Sequence, residues 1–471
     1  MERTTSVVVQ EGGAEDSLFD DDGRIKRTGT LITASAHIIT AIIGSGVLSL
    51  AWAVAQLGSV AGPAALLVFS VITLYTSILL TDCYRSPEGT RNHSYMDAVR
   101  THLGGIQFMF CALAQYATLI GLAIGYVITT ALSLGAIERS NCYHKHAYGG
   151  HGRPPECSPS TRTYILEFGA VQMILSQIPK FHNISFMSVI AAVMSFTYAI
   201  IGLALSAARI AGGTPVRTSV TGVPIGNDNS AVDKMWKTFS ALGNIAIAFA
   251  FSIVVIEIQD TLKASPRENR VMKQATFVGI MVSSLFYTLC GIVGYVAFGV
   301  DAPGNLLTDD HGFYEPYWLI DFANACIVVH LIGAYQVFTQ PVFAFVESWS
   351  RRMWPENRLI TAEFIILGFW EFNFFRLLWR TGYVIFTVIV GLIFPFFNAF
   401  VGLLGAISFW PLTIYFPIQM YMKQAKIRRF SCAWICLQTL SLFCFFVSLL
   451  AAAGSVRNLI KYVFHYNPFA P

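Results

Sequence analysis

The chain has 471 residues, of which 55% are hydrophobic and only 12% are charged. A soluble domain is about a quarter charged because its surface faces water. The net charge is +4, and the basic residues are scattered through connecting segments, which excludes a nucleic-acid-binding protein. The composition therefore predicts an all-α polytopic membrane protein, since a helix satisfies its own backbone within lipid.

Residues 1–30 form a polar amino-terminal segment with five acidic residues between positions 15 and 22. The segment lacks the apolar stretch of a secretory signal. It predicts a solvated, disordered cytoplasmic tail.

Eleven downstream segments are apolar over about the 20 residues that a helix needs to cross the hydrocarbon core. The predicted spans are residues 33–57, 62–83, 105–135, 163–179, 184–209, 236–258, 272–299, 317–346, 382–398, 400–422 and 432–455. The third and eighth are long enough to be strongly tilted. The ninth and tenth are continuous, so we expect a turn near Pro395 and Asn398. Polar residues interrupt the apolar run 359–376, which predicts an interfacial segment.

The distribution of Lys and Arg orients these spans, because cytoplasmic loops carry the excess. With the amino terminus inside, inner segments hold 21 of the 31 basic residues and outer segments hold 10. This predicts a cytoplasmic amino terminus and an extracellular tail at 456–471.

The same orientation places Cys142 and Cys157 in an outer loop, where a disulfide can persist. A disulfide and two free cysteines fit the sequence equally well. His144, His146 and His151 share this loop without the spacing of a metal site, so we interpret them as solvated and predict no metal.

The middle of the first span contains Ile43, Gly44, Ser45 and Gly46. Each glycine costs a helix about 1 kcal/mol relative to alanine, and unpaired backbone within a membrane is tolerated where it faces a cavity. An unwound segment here would direct N–H groups at a carboxylate, at the positive end of the following half-helix. Glycines that let another helix approach closely are the alternative, and the motif alone fits both.

The sixth span crosses in the opposite direction to the first, as the second half of an inverted repeat would. Its midpoint has small residues but no Gly or Pro at the proposed break. We predict breaks in spans 1 and 6, repeat one at about 31–210, repeat two at about 236–422 and an extra helix at 432–455. The candidate substrate-binding residues are Ile43, Gly44, Ser45, Gly46, Phe249, Ala250, Phe251 and Ser252.

Several motifs resemble the plant amino acid permeases of the amino acid/auxin permease family. They are Ala34–His37 leading into Gly44–Ala53, Gln56–Gly58, Ile256–Leu262, Gln340–Val342 and Phe409–Leu412. The resemblance covers the chain from about residue 25. It implies a proton-coupled amino acid symporter in the plasma membrane that moves substrate inward, with a five-plus-five inverted repeat and one extra helix.

Two histidines, His37 and His330, lie within predicted spans. Imidazole titrates near neutral pH, and ionisable groups within a membrane are candidates for function. His37 is favoured because it lies about two turns before the first break, whereas for His330 transport and a simple hydrogen bond to a carbonyl are balanced. Glu257 is a third candidate for proton coupling. It shares a helix face with Asp260. For Asp260, a solvated pair with Glu257 fits the sequence as well as a role in proton coupling.

The expected mechanism is alternating access. The amino acid carboxylate would bind Gly44, Ser45 and Gly46, and its ammonium group would meet carbonyls near Ala250. No fixed charge is apparent at the centre, which predicts broad specificity for neutral amino acids. The expected partners are an amino acid, a proton and membrane lipid, without a cofactor or nucleic acid, and the sequence gives no oligomeric state.

Enzyme motifs and channel filters are lacking, so we predict that the chain is not an enzyme. A carrier of auxin or another weak organic acid, and a transporter-like amino acid sensor, remain alternatives.

Overall fold

The computed structural model describes residues 26–465, apart from 149–156, 158, 179–184, 227–228, 310, 363, 367–369 and 395. Most of the predicted tail, His151 and the end of the chain therefore lie outside the described residues. The first half contains α1 (Leu31–Ile42), α2 (Leu50–Leu57), α3 (Ala61–Asp82), α4 (Tyr95–His102), α5 (Gly105–Tyr148), α6 (Thr161–Leu175) and α7 (Ser185–Ala211).

The second half repeats the pattern of an interrupted helix followed by long helices. It contains α8 (Ala231–Ala248), α9 (Val255–Asp260), α10 (Glu268–Phe298), α11 (Tyr317–Met353), α12 (Arg358–Thr361), α13 (Phe374–Ile393), α14 (Phe397–Ser408), α15 (Phe416–Gln424) and α16 (Cys432–His465). Strands β1 (Phe364–Ile366) and β2 (Trp370–Phe372) form a short antiparallel hairpin.

The polytopic all-helical architecture is confirmed. Nine helices in the described part are long and apolar enough to cross a membrane, and the α1–α2 pair, bent by 50°, makes a tenth. The fourth predicted span corresponds to α6, whose 15 residues are fewer than a full crossing needs. The predicted turn between spans 9 and 10 lies between Ile393 and Phe397.

Three predicted boundaries are wrong because helices continue beyond their apolar stretch. Helix α5 runs to Tyr148 through the predicted loop, α11 runs to Met353, and α16 runs to His465 through most of the predicted tail. Backbone hydrogen bonds within a helix need no apolar surroundings, so hydropathy marks the apolar part of a helix and not its end. The hairpin within 359–376 is likewise a local exception to the all-α prediction.

Side-chain caps define where several helices begin. The Thr30 side chain accepts from the Thr33 N–H, and the Thr33 hydroxyl accepts from the Thr30 N–H, which forms a capping box at α1. Ser94 and Ser230 accept from N–H groups in the first turns of α4 and α8. These caps satisfy N–H groups that the helices themselves leave free.

The helices sort into two packed groups. In the first group, α10 packs against α1, α2 and α3, and α2 also packs against α8. In the second, α5 packs against α6, α11 and α13. Helix α7 lies against both α10 and α11, and α14 packs against α8 and α5. The breaks in α1–α2 and α8–α9 therefore lie in one group and face the other.

A polar network joins the first group at the end of the bundle where α1 begins, called here the amino-terminal end. Arg27 contacts Glu268 at 3.0 Å, and Glu268 also accepts from Arg85. The Gly29 N–H donates to the Thr261 carbonyl at 2.9 Å. The segment before α1 is thus tied to the ends of α3 and α9 and to the start of α10.

A second polar network joins the other group. Gln336 of α11 donates to Gln172 at 2.6 Å. Arg380 of α13 donates to Glu347 at 2.8 Å and to the Ser176 carbonyl at 2.7 Å. Separating the helices of one group would break these bonds and leave buried polar groups unpaired, which is costly. Each network therefore favours movement of its helices as a unit.

Candidate functional site

The first break separates α1 from α2 at the centre of the bundle. Ile43 and Gly44 are extended, and residues Ser45–Ser49 form a 3₁₀ turn. The first hydrogen bond of this turn joins the Val47 N–H to the Gly44 carbonyl at 3.2 Å. The N–H groups of Ser45 and Gly46 precede that bond and, in the part of the chain that the structure describes, are the free donors of a helical start.

The two glycines of the break do not serve close packing of helices. Among the described residues, a Cβ added to Gly44 or Gly46 would meet no atom within 4 Å. By contrast, a Cβ on Gly405 of α14 would lie 2.0 Å from the Gly243 carbonyl of α8. Gly44 and Gly46 border open space, which favours the cavity interpretation, whereas Gly243 and Gly405 allow two helices to touch.

The second break separates α8 from α9 at Phe249, Ala250 and Phe251, as predicted from the symmetry of the spans. Turn-like bonds join Ala250 N–H to the Ile247 carbonyl at 3.1 Å and Val254 N–H to the Phe251 carbonyl at 3.1 Å. Within the described chain, the carbonyls of Ala248 and Ala250 accept no backbone N–H. They are the acceptors that an ammonium group needs.

Both breaks border one cavity of about 130 Å³. Four of the predicted substrate-binding residues line it: Gly44, Gly46, Ala250 and Phe251. Ile43, Phe249 and Ser252 are buried behind them. Apart from the two interrupted helices, the wall comes from α5, α10, α11 and α14 and includes Leu122, Gly125, Tyr126, Thr129, Tyr287, His330, Phe338, Phe397, Val401 and Leu404.

Tyr287 of α10 holds the first break in place. Its hydroxyl donates to the carbonyl of Ile42, the last residue of α1, and accepts from the Gly44 N–H. Its ring packs edge-on against Phe249, with centroids 5.4 Å apart. One fully buried side chain therefore contacts both broken helices.

His330 of α11 brings an ionisable group to the cavity. Its Nδ1 lies 3.0 Å from the Ala191 carbonyl and 3.2 Å from the Ser195 hydroxyl of α7. A carbonyl only accepts, so Nδ1 carries the hydrogen and Nε2 keeps the lone pair. His330 is 9% exposed, and its Nε2 is the basic atom beside the site.

The other candidates for proton coupling lie away from the described cavity wall. His37 is exposed on α1, about two turns before the break. The Glu257 carboxylate accepts from the Tyr95 N–H at the start of α4. Asp260 accepts from the Tyr84 hydroxyl at 2.5 Å and contacts His93 at 2.9 Å. Burial and the bond to Asp260 raise the pKa of Tyr84, so its hydroxyl stays a donor.

The opposite end of the bundle carries a disulfide between Cys142 and Cys157 and is called here the disulfide end. His144 stacks on Tyr317 with centroids 3.8 Å apart and contacts Glu315 at 3.5 Å. His144 therefore lies on the last turns of α5, not in a loop, and is engaged by an aromatic ring and a carboxylate.

A backbone hydrogen bond also joins the loop between α10 and α11 to the segment that follows the first break, on the side of the disulfide end. The Leu306 N–H donates to the Leu48 carbonyl at 3.2 Å, and Asn305, Leu306 and Leu307 are buried. The loop between α10 and α11 therefore covers the first break.

Two interrupted helices, opposed across a central cavity with free donors on one and free acceptors on the other, define a secondary transporter of the broken-helix type. The family described as transmembrane amino acid transporter protein matches residues 27–461. The chain belongs to this family: it is an amino acid transporter, not an enzyme.

Curated relatives are similar over nearly the whole chain. Amino acid permease 6 of Arabidopsis thaliana is 56% identical, covering 100% of this chain and 99% of its own length. Amino acid permease 1 is 56% identical, covering 96% and 93%, and amino acid permease 8 is 56% identical, covering 98% and 97%. Both are also from Arabidopsis thaliana. The resemblance to plant amino acid permeases is confirmed.

Proposed function

We propose that the protein is a proton-coupled symporter that imports neutral amino acids across the plasma membrane by alternating access. The observation that carries this proposal is the pairing of the two breaks across one cavity that His330 also lines. We place the amino-terminal end in the cytoplasm and the disulfide end outside, following the distribution of basic residues.

The substrate fits the two breaks through its own two charges. The carboxylate accepts from the N–H groups of Ser45 and Gly46, where the dipole of the following helical segment favours negative charge. The ammonium group donates to the carbonyls of Ala248 and Ala250. Each charge is matched by backbone groups, so recognition does not depend on the substrate side chain.

The cavity wall supports a preference for neutral substrates. Among the described lining residues there is no Asp, Glu, Lys or Arg. A charged substrate side chain would lose its hydration there without a charge partner, which is costly in a low dielectric. The cavity of about 130 Å³ is smaller than the roughly 300 Å³ at which ligand pockets usually begin, so longer side chains need Phe251 or Phe338 to move.

Proton coupling is assigned to His330. Its Nδ1–H is committed to Ala191 on α7, and Nε2 takes the proton. Because α7 and α11 meet at this bond, protonation changes the charge at a junction between the two helix groups. An imidazolium beside the cavity is stabilised by the substrate carboxylate, so proton and amino acid favour one another's binding.

Transport then requires the first group of helices to tilt against the second. The two polar networks hold each group together, and the Leu306–Leu48 bond closes the outer side. Opening outward requires this bond to break, and opening inward requires α1 and α9 to move away from the second group.

Reconstituted vesicles test this function. Uptake of labelled alanine into proteoliposomes, with acidic buffer outside and alkaline buffer inside, is expected to exceed uptake without a gradient and to rise further with an inside-negative potential. A proton carrier that collapses the gradient should abolish the excess. Equal uptake with and without the gradient, or a requirement for sodium, would contradict proton symport.

A further inference from the structure

A second cavity lies at the disulfide end, above the contact between Leu306 and Leu48. It has a volume of about 700 Å³. Trp52 and Gln56 of α2, Lys237 of α8 and Asn398 of α14 line it, together with residues 298, 300–304, 309 and 311 at the connection between α10 and α11. The outer halves of both interrupted helices thus form its walls.

Most charged groups in this cavity are already engaged. Arg217 contacts Asp301 at 3.7 Å. The Asp309 carboxylate accepts from the N–H groups of Gly304 and His311 at 2.8 and 3.2 Å. Arg209 donates to the Ala297 carbonyl at 2.9 Å and lies 4.3 Å from the Phe298 ring centroid. Among the Lys, Arg, Asp and Glu residues of the described lining, Lys237 is the one that remains.

Lys237 is a half-buried ammonium group that lacks a hydrogen-bond or ion-pair partner among the described residues. Its charged neighbours are Asp233 and Lys461, and these two contact each other at 3.3 Å. The carboxylate of Asp233 is therefore shared with a closer cation. Lys237 gives the cavity a positive charge that a carboxylate can neutralise.

The cavity also contains a hydrogen-bond acceptor, and a further polar side chain lies between this cavity and the second break. The Asn398 Oδ1 is buried without a partner in the described structure. Asn244 lies seven residues, or about two turns, after Lys237 on the same face of α8. Its amide is fully buried, and neither of the amide's polar atoms has a hydrogen-bond partner among the described residues. This face leads from Lys237 towards the break at Phe249. Helix α14 likewise lines the outer cavity with Asn398 and the central one with Val401.

We propose that this cavity is an outer docking site for α-amino acids, in which Lys237 binds the carboxylate, Asn398 accepts from the ammonium group, and the charge of Lys237 selects among substrates by sign. The inference deepens the proposed function and rests on it. An acidic amino acid gains attraction from its side chain, and a basic one meets repulsion. The side chain of a neutral amino acid carries no charge, so Lys237 neither attracts nor repels it.

The test compares charged and neutral amino acids in cells expressing Lys237→Gln. The Michaelis constant for glutamate should rise about fivefold, since a partly exposed ion pair supplies an effect of this order. The constant for lysine should change least, because losing the carboxylate contact is offset by relief of the repulsion on its side chain. The constant for alanine should rise by a smaller factor, because alanine loses only the contact between its carboxylate and Lys237. A charged amino acid that is not carried is measured instead by its inhibition of alanine uptake. Raising the ionic strength should shrink the difference.

Two variants serve as matched controls. Lys237→Arg keeps the charge and should behave like wild type. Lys234→Gln removes a positive charge from the same helix outside the cavity lining and should leave all three constants unchanged. Equal changes for all three amino acids in Lys237→Gln, or no change at all, would overturn the inference. If the wild-type protein transports no amino acid at all, the proposed function is contradicted instead.

Discussion

The hydroxyl group of Tyr287 donates to the carbonyl of Ile42, and this bond joins α10 to the end of α1. A helix interrupted within a membrane leaves carbonyls without their usual donors, and such groups are costly in lipid. Tyr287 supplies the missing donor and also packs against Phe249 at the second break. The two breaks are thus held by the same side chain.

Tyr287→Phe should weaken the site while leaving the chain folded. Removing the hydroxyl leaves the Ile42 carbonyl unpaired, which costs about 1–3 kcal/mol. We expect a lower melting temperature in detergent and reduced alanine uptake per protein molecule at the surface. Tyr75→Phe, at a tyrosine 44% exposed on α3, is the control and should behave like wild type. Unchanged uptake in Tyr287→Phe would show that the bond does not support the break.

Gly44→Ala and Gly405→Ala should reduce transport for different reasons. The methyl group at Gly44 enters the cavity, so the protein should reach the surface normally while its Michaelis constant for alanine rises roughly tenfold or more. The methyl group at Gly405 meets the Gly243 carbonyl at 2.0 Å, so this variant should lose surface abundance. Surface biotinylation combined with uptake kinetics separates the two. Equal loss of abundance would show that Gly44 has a packing role.

His330→Gln should uncouple transport from the proton. Wild-type uptake should rise as the external pH falls, because protonated His330 favours substrate binding. The variant should lose this pH dependence and retain exchange of labelled for unlabelled alanine. His37→Gln, which alters a histidine outside the cavity wall, should keep the pH dependence. A pH-dependent His330→Gln together with a pH-independent His37→Gln would assign the proton to the other histidine.

The orientation can be tested with the cysteines. After treatment of intact cells with an impermeant reductant, an impermeant maleimide should label Cys142 and Cys157. Cys432 is an exposed free thiol at the start of α16 and should be labelled only after permeabilisation. Variants that retain one of these sites at a time identify each label. Labelling of Cys432 in intact cells would reverse the proposed topology.

The sequence predicts the span pattern and the first break well, because membrane thickness fixes helix length and paired glycines disfavour a continuous helix. The second break contains neither Gly nor Pro, so only the opposed direction of the first and sixth spans indicated it. The ends of α5 and α16 were missed because polar helical turns resemble loops in hydropathy.

The walls of the site are harder to predict from sequence. Tyr126, Phe338 and Val401 lie on helices that are apolar on most faces, so no periodicity shows which face turns towards the cavity. The position of His330 beside the cavity, and of His37 outside it, likewise depends on how α11 and α1 are rotated. Spacing along one helix carries no information on that rotation relative to its neighbours.

Proton symport is tested most directly by substrate-induced current in a voltage-clamped cell expressing the protein in sodium-free medium. A neutral amino acid entering with a proton carries one positive charge, which an inside-negative membrane drives inward at about 2.3 kcal/mol per 100 mV. We therefore expect an inward current with alanine that is larger at external pH 5.5 than at 7.5. Labelled alanine uptake without current, or current independent of external pH, would contradict it.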